Sequence, residues 1–193
     1  MICLKVGPCT APGIAHIAAS FETPRLKLRQ FIAADAPFIL ELVNQPGWLR
    51  FIGDRKVHDL DAARLYIENG PRAMYARHGY GLYAVELKQG DLPIGMCGLV
   101  KREGLELTDV GFALLERFQG HGYAREAAEA TLAHAERDCG LKQLAAITDP
   151  VNQRSIRLLE SIGFEPAGSR RLAPEAALVS YFLWQARAGA EDA

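Results

Sequence analysis

Net charge is nearly absent from this 193-residue chain, because 22 Lys and Arg residues face 23 Asp and Glu residues. A nucleic-acid-binding protein usually carries a marked excess of basic residues that hold the phosphates, and this balance shows none. Apolar runs of the ~18–20 residues needed to span a membrane are missing as well. The sequence therefore predicts no nucleic-acid partner and no membrane partner.

Cysteine is scarce, with four residues in the chain. None lies in a C-x-x-C pattern or beside a histidine pair, so no metal site is predicted. Cys97 falls in an apolar run and Cys139 at a predicted helix end, which favours small packed side chains over nucleophiles. Glycine and proline interrupt the apolar stretches of residues 1–20, so no signal peptide is predicted. We expect a cytoplasmic protein with reduced thiols.

The remaining composition is typical of one globular domain, with 49% apolar and 23% charged residues. Residues 1–20 have little charge and several glycines and prolines, which predicts a poorly ordered leader. Residues 187–193 form a small, polar tail. No linker or internal repeat lies between them, so residues 21–186 are expected to fold as a single domain.

Apolar periodicity predicts the element order β-αα-βββ-α-β-α-β. Asp35 is expected to cap the first helix and Asp59 or Asp61 the second, in which Leu60 and Tyr66 should face inward. The mixture of a hairpin and βα crossovers predicts an α/β protein, with a mixed sheet covered by helices on both faces. The predicted strands are 26–31, 81–88, 93–101, 107–115, 142–148 and 177–184; the predicted helices are 34 to a stop at Pro46-Gly47, 59–77, 123–138 and 152–162.

A glycine-rich turn connects the strand at 107–115 to the helix at 123–138. Gly120 and Gly122 are separated by one residue, which lets the backbone approach a ligand and turns free amides toward it. The first amides of the helix lack partners, and the helix dipole favours negative charge there. The turn therefore indicates a pyrophosphate or similar anion; a tight structural turn that needs positive φ is the alternative.

Two common nucleotide motifs do not fit this turn. A dinucleotide fingerprint needs Gly or Ala where Arg125 stands, and its acidic residue about 20 positions on, whereas Asp149 lies 29 residues after Gly120. A P-loop needs a Gly-Lys-Ser/Thr sequence, which is missing. A nucleotide-dependent oxidoreductase is thus disfavoured.

The pattern Arg117-x-x-Gly120-x-Gly122 resembles the acetyl-CoA signature of the GCN5-related N-acetyltransferase (GNAT) superfamily. The chain is most similar to the branch of the Rim-type ribosomal-protein N-terminal acetyltransferases. The blocks that carry this resemblance occur in family order: TPRLKLR at 23–29 followed by Asp35, DVGFAL at 109–114, QGHGYA at 119–124, NQRS at 152–155 and Gly163-Phe164.

This resemblance implies a twisted, mostly antiparallel sheet in which the strands at 107–115 and 142–148 form a splayed central parallel pair. Acetyl-CoA is the implied cosubstrate, with its pantetheine arm in the gap between these strands. Asn152 would bond the pantetheine, although it could equally cap the last helix. The backbone of Phe112, Ala113 and Leu114 would bind the arm, and the amides of Gln119, Gly120, His121, Gly122, Tyr123 and Ala124 would bind the pyrophosphate.

The implied reaction is direct attack of a primary amine on the thioester. Asp109 is the first choice for the general base and Glu106 the second, with a bound water or a merely structural carboxylate as alternatives. Ser155 would contact the cofactor and protonate the thiolate, although a capping or packing role is equally open. Many family members place a tyrosine where this chain has Leu159, so the resemblance leaves the identity of the general acid open. His134 is expected to be a partly exposed helix residue.

The acceptor is left open by the sequence. Peptide α-amines, polyamines, aminoglycosides and small amino compounds all fit an N-acetyltransferase that acts as a monomer or homodimer. Trp48 and Phe51 could form an aromatic wall for the acceptor or serve as core residues. An acyl-CoA-binding sensor with the same fold but no turnover is the competing function.

Overall fold

The computed structural model describes residues 20–186, and these form one eight-stranded sheet with helices on both faces. Residues 1–19 and 187–193 lie outside the described residues. They include Cys3, Cys9, the predicted tail and all but the last residue of the predicted leader. The strands are β1 Ser20–Glu22, β2 Leu26–Arg29, β3 Leu82–Leu87, β4 Leu92–Val100, β5 Asp109–Leu114, β6 Gln143–Thr148, β7 Glu165–Arg170 and β8 Val179–Gln185. The helices are α1 Ala36–Val43, α2 Pro46–Phe51, α3 Leu60–Ile67, α4 Ala73–His78, α5 Tyr123–Arg137 and α6 Gln153–Ser161.

The strands lie in the order β1-β2-β3-β4-β5-β6-β8-β7, and every neighbouring pair is antiparallel except β5 and β6. The parallel pair is joined at one register position, Asp109 opposite Ala145. There the amide of Ala145 donates to the carbonyl of Thr108 at 2.8 Å. Beyond this point the strands separate, which confirms the predicted splayed pair and the mostly antiparallel sheet.

Alternation along β3 and β4 sends side chains to two separate apolar cores. Tyr83 and Cys97 pack into a core that α5 and α6 complete, whereas Ala84 and Met96 pack into a second core with α1, α2 and α3. The predicted arrangement of helices on both faces is therefore confirmed. No helix within residues 20–186 is long and apolar enough to cross a membrane.

Several element boundaries differ from the sequence prediction. The first helix ends before Pro46-Gly47 as predicted, at Val43, but Pro46 also begins the short helix α2, because proline is well suited to the first turn, where its missing amide costs nothing. The predicted helix at 59–77 is interrupted by a wide turn at Glu68–Arg72 that accommodates Pro71. Strands β1 and β7 were not predicted.

Three residue predictions are wrong. Leu60 is exposed, because Asp59 is the N-cap and the inward face of α3 begins at Ala63. His134 is fully buried, since its ring stacks on Phe21 and its Nδ1 lies 2.8 Å from Asp138 Oδ2. Asp35 does not cap α1 with its side chain; its carboxylate accepts from the Ile32 amide and binds Arg29.

Arg29, at the end of β2, joins this strand to β3 and to the turn before α1. Its guanidinium makes a bidentate pair with Asp35 at 2.7 and 2.8 Å, and its Nε donates to Glu86 at 2.7 Å. Asp35 and Glu86 are both buried, whereas Arg29 keeps a fifth of its side chain exposed. Hydrogen bonding to Asp35 raises the pKa of Arg29, against the effect of burial. Removing this one cation would leave two buried carboxylates without a counter-charge.

We expect Arg29→Ala to lower the free energy of unfolding by about 3 kcal/mol at pH 7, the order seen when one partner of a buried pair is lost. The matched control is Arg72→Ala, which breaks an exposed pair with Glu68 and should cost less than about 1 kcal/mol. Urea unfolding of both variants measures the difference. Equal losses in the two variants would contradict the structural role of Arg29.

Candidate active site

A cavity of about 1270 Å³ opens where β5 and β6 separate. Its walls come from the two separating strands, the glycine turn with the start of α5, the first turns of α6, and the segment from the end of α1 to α4. The cavity is large enough for a sizeable cosubstrate together with a second, smaller molecule.

The edge of β5 that faces β6 presents unpaired backbone groups. Thr108 directs its carbonyl toward β6, and alternation along a strand then turns the backbone groups of Phe112 and Leu114 the same way. The Leu114 carbonyl already accepts from Gln119 Nε2 at 3.1 Å. Ala113 was expected to contribute its backbone here, but the same alternation turns its N–H and carbonyl toward β4, so that expectation needs correction.

The glycine turn combines positive φ with an open surface. Gly120 has φ +82° and Gly122 has φ +80°, a backbone conformation that favours glycine at both positions. A Cβ atom placed on Gly120 would meet nothing within 4 Å. Gly122 is the N-cap of α5 and provides no side chain to satisfy the first helical amides. An anion can therefore approach these amides from the cavity.

Arg25 braces the outer side of this turn. Its Nη1 donates to the His121 carbonyl at 3.1 Å, its Nε pairs with Glu126 at 2.6 Å, and its guanidinium lies 4.5 Å from the centre of the Tyr123 ring. Thr23 also hydrogen-bonds to Glu126. The side chains of His121 and Tyr123 thus lie on the braced side and do not line the cavity. Apart from the block at 23–29, no sequence pattern predicted this brace.

The start of α6 brings Asn152 and Ser155 to the cavity. Asn152 is the N-cap, and its Oδ1 accepts from the Ser155 amide at 3.2 Å. The cap uses only the oxygen of the Asn152 amide, so its Nδ2 donor is available to a ligand. Ser155 is half-buried. Leu159, where the family resemblance implied a tyrosine in many members, is buried in the core and supplies no proton donor.

Asp109 lies at the vertex between the two separating strands and lines the cavity. Its Oδ2 accepts from Arg102 Nε at 2.5 Å, and its Oδ1 has no hydrogen-bond partner among the described residues. Burial raises the pKa of the Asp109 carboxyl to about 6, although Arg102 opposes that rise. A carboxyl with such a pKa is ionised at neutral pH and can still take up a proton.

The other residues of the predicted site fall into two groups. Gln119, Gly120, Gly122 and Ala124 all line the cavity. Glu106, in contrast, is exposed and lies outside it. Sequence reasoning assigned no role to Arg102, and it placed Tyr66 in the core, whereas Tyr66 is half-buried and lines the cavity.

Comparison with known proteins identifies the family. Residues 25–165 match the family model of the acetyltransferase (GNAT) domain, which covers most of the chain. An uncharacterized protein of Bacillus subtilis (strain 168), YkkB, is 35% identical over 144 residues, which cover 73% of this chain and 82% of that protein. GNAT acetyltransferases use acetyl-CoA.

Solved structures share the fold. The crystal structure of an acetyltransferase from Agrobacterium tumefaciens str. C58 matches with a TM-score of 0.74 at 24% identity, covering 92% of this chain and all of that one. A RimL ribosomal α-N-protein acetyltransferase in complex with coenzyme A matches with a TM-score of 0.71 at 19% identity, covering 88% and 97%.

The open surface at Gly120 leads to a paired prediction. Gly120→Val should weaken acetyl-CoA binding at least tenfold, because its side chain would point into the space proposed for the pyrophosphate. Gly90→Val, in the β3–β4 turn with φ +87° and an equally open surface, should show the same backbone strain, roughly 1–2 kcal/mol, with unchanged affinity. Calorimetric titration and urea unfolding check both variants. Unchanged affinity in Gly120→Val would remove the phosphate role of the turn.

Proposed function

The chain belongs to the GNAT acetyltransferase family, and from this premise we propose that it transfers an acetyl group from acetyl-CoA directly to a primary amine in a ternary complex. The amine is that of a small molecule or a peptide N-terminus. One observation carries the proposal: a single cavity joins an unpaired strand edge, an open glycine turn and a buried ionisable carboxyl.

The cosubstrate would enter with its diphosphate on the free amides at the start of α5. Its pantetheine arm would then run along the gap, bonding the backbone of Phe112 and Leu114 as an added strand would. Asn152 Nδ2 would donate to a pantetheine carbonyl from the opposite wall. This seating directs the thioester toward the vertex of the gap, where Asp109 lies.

The reaction needs three proton and charge adjustments. Asp109 would accept a proton from the amine, directly or through a water, so that the nitrogen lone pair can attack the thioester carbonyl. A backbone N–H on the gap side of β5, such as that of Phe112, would stabilise the oxyanion. As the C–N bond is made and the C–S bond breaks, Ser155 would deliver a proton to the departing thiolate and take one back from solvent, while Asp109 releases the amine proton to solvent.

The basic test of this proposal is turnover. Purified protein with acetyl-CoA and a panel of primary amines should release free coenzyme A, measured with a thiol reagent, and form the matching N-acetyl product, measured by mass spectrometry. Binding of acetyl-CoA without thiol release for any amine would favour the sensor function instead.

Asp109→Asn should lower kcat about a hundredfold with near-normal acetyl-CoA affinity, the usual range for the loss of a general base. Because the base works when ionised, wild-type activity should fall as the pH drops through about 6, and the variant should lack this dependence. The pH–rate profile measures both effects.

Glu106→Gln is the matched control, since this carboxylate is exposed outside the cavity. Its profile should overlay that of the wild type. If Glu106→Gln abolished the acidic limb and Asp109→Asn retained it, Asp109 would not be the base.

A further inference from the structure

The cavity is rich in arginine. Its lining residues include six arginines but only two carboxylates, and they include no lysine or histidine. Both carboxylates are engaged: Asp109 binds Arg102, and Glu116 accepts from the Gly47 amide at 3.2 Å. The cavity therefore presents a positive surface to whatever enters it, which repels polycations.

The arginines form two groups by position. Arg125, Arg154 and Arg157 belong to α5 and α6, on the walls proposed for acetyl-CoA. Arg125 already pairs with Glu129 at 2.8 Å, and the phosphates of the proposed cosubstrate would account for Arg154 and Arg157.

The second group is Arg50, Arg55 and Arg102. Arg50 lies on α2, Arg55 on the segment after α2, and Arg102 just beyond the end of β4. Neither Arg50 nor Arg55 pairs with a carboxylate within residues 20–186. The proposed seating of acetyl-CoA leaves Arg50 and Arg55 without an anion, whereas Arg102 is paired with Asp109.

Tyr66 lines the same cavity as the second group. Burial raises the pKa of Tyr66, so its hydroxyl remains a hydrogen-bond donor at neutral pH, although the charges of Arg55 and Arg102 oppose that rise. The cavity therefore offers a hydroxyl donor and the guanidinium groups of Arg55 and Arg102, which are groups suited to bind a carboxylate or phosphate.

Resting on the acetyl transfer proposed above, we propose that the acceptor is a compact amine that itself carries an anionic group. Arg55, Arg102 and the Tyr66 hydroxyl bind that group, while the amine faces Asp109. This assignment selects amino-acid-like acceptors over the polyamines and aminoglycosides that the sequence left open.

The position of Arg102 sets the distance between the two groups of the acceptor. Its Nε is committed to Asp109 at 2.5 Å, so its terminal nitrogens remain for an anion. Its Nη2 is directed toward the β5 backbone, 3.9 Å from where a Cβ on Gly111 would stand. Base and anion site are thus separated by one guanidinium group, and the acceptor's anion must lie only a few bonds from its nitrogen.

The test compares kcat/KM for acceptors matched in size and different in charge: an amino acid against its amide, an aminoalkyl phosphate against the aminoalcohol, and a diamine of similar length. The anionic member of each pair should react at least tenfold faster, and the diamine slowest. The carboxylate and phosphate arms identify which anion is preferred. A preference for the neutral members or the diamine would overturn the proposal.

Arg55→Gln should reduce the anionic-to-neutral ratio of kcat/KM about tenfold, the value of one lost charge-assisted hydrogen bond. The control Arg64→Gln, on the exposed side of α3 and paired with Asp61, should leave the ratio and the activity unchanged. If Arg55→Gln instead raised the KM of acetyl-CoA equally for every acceptor, Arg55 would serve the cosubstrate and the inference would fail alone. If no amine were acetylated, the proposed function itself would fail.

Discussion

The separation of β5 from β6 is the constraint on which the rest of the molecule depends. A parallel pair normally continues its hydrogen bonds along both strands, and here the register holds only at Asp109 and Ala145. Unpaired backbone groups inside a protein are costly unless a partner satisfies them. The sheet can leave this edge open because every residue of β5 pairs with β4 and every residue of β6 pairs with β8. Each half of the sheet therefore keeps its antiparallel hydrogen bonds on the side away from the gap.

The N-terminal strands hold this arrangement from one side. Arg29 fixes β2 to β3 and to the turn before α1, whereas Arg25, four residues earlier, fixes the glycine turn through His121 and Glu126. Two arginines of one short block thus support different parts of the site. Neither arginine needs to touch a ligand for the site to keep its shape, because both act through contacts within the protein.

The sequence predicted the central elements well because their side chains alternate between two buried cores. Prediction failed where that signal is missing: all six residues of β7 are exposed, so no apolar pattern marks the strand. His134 was misplaced because the aromatic ring that covers it, Phe21, is distant in sequence. The glycine turn could be found locally, whereas the contact between Arg102 and Asp109 depends on how two strand ends meet.

The ionisation of Asp109 links the site to the folding equilibrium. Its pKa is about 6 in the folded protein against an ordinary value of 3.8, so folding favours the protonated carboxyl. That contribution is fully present below pH 3.8 and is lost as the pH rises through 6. By the usual relation of about 1.4 kcal/mol per pKa unit, keeping the charged form at neutral pH costs roughly 3 kcal/mol of stability. The two cores on either side of the sheet must supply that energy, so the charge on Asp109 is maintained at the expense of the fold.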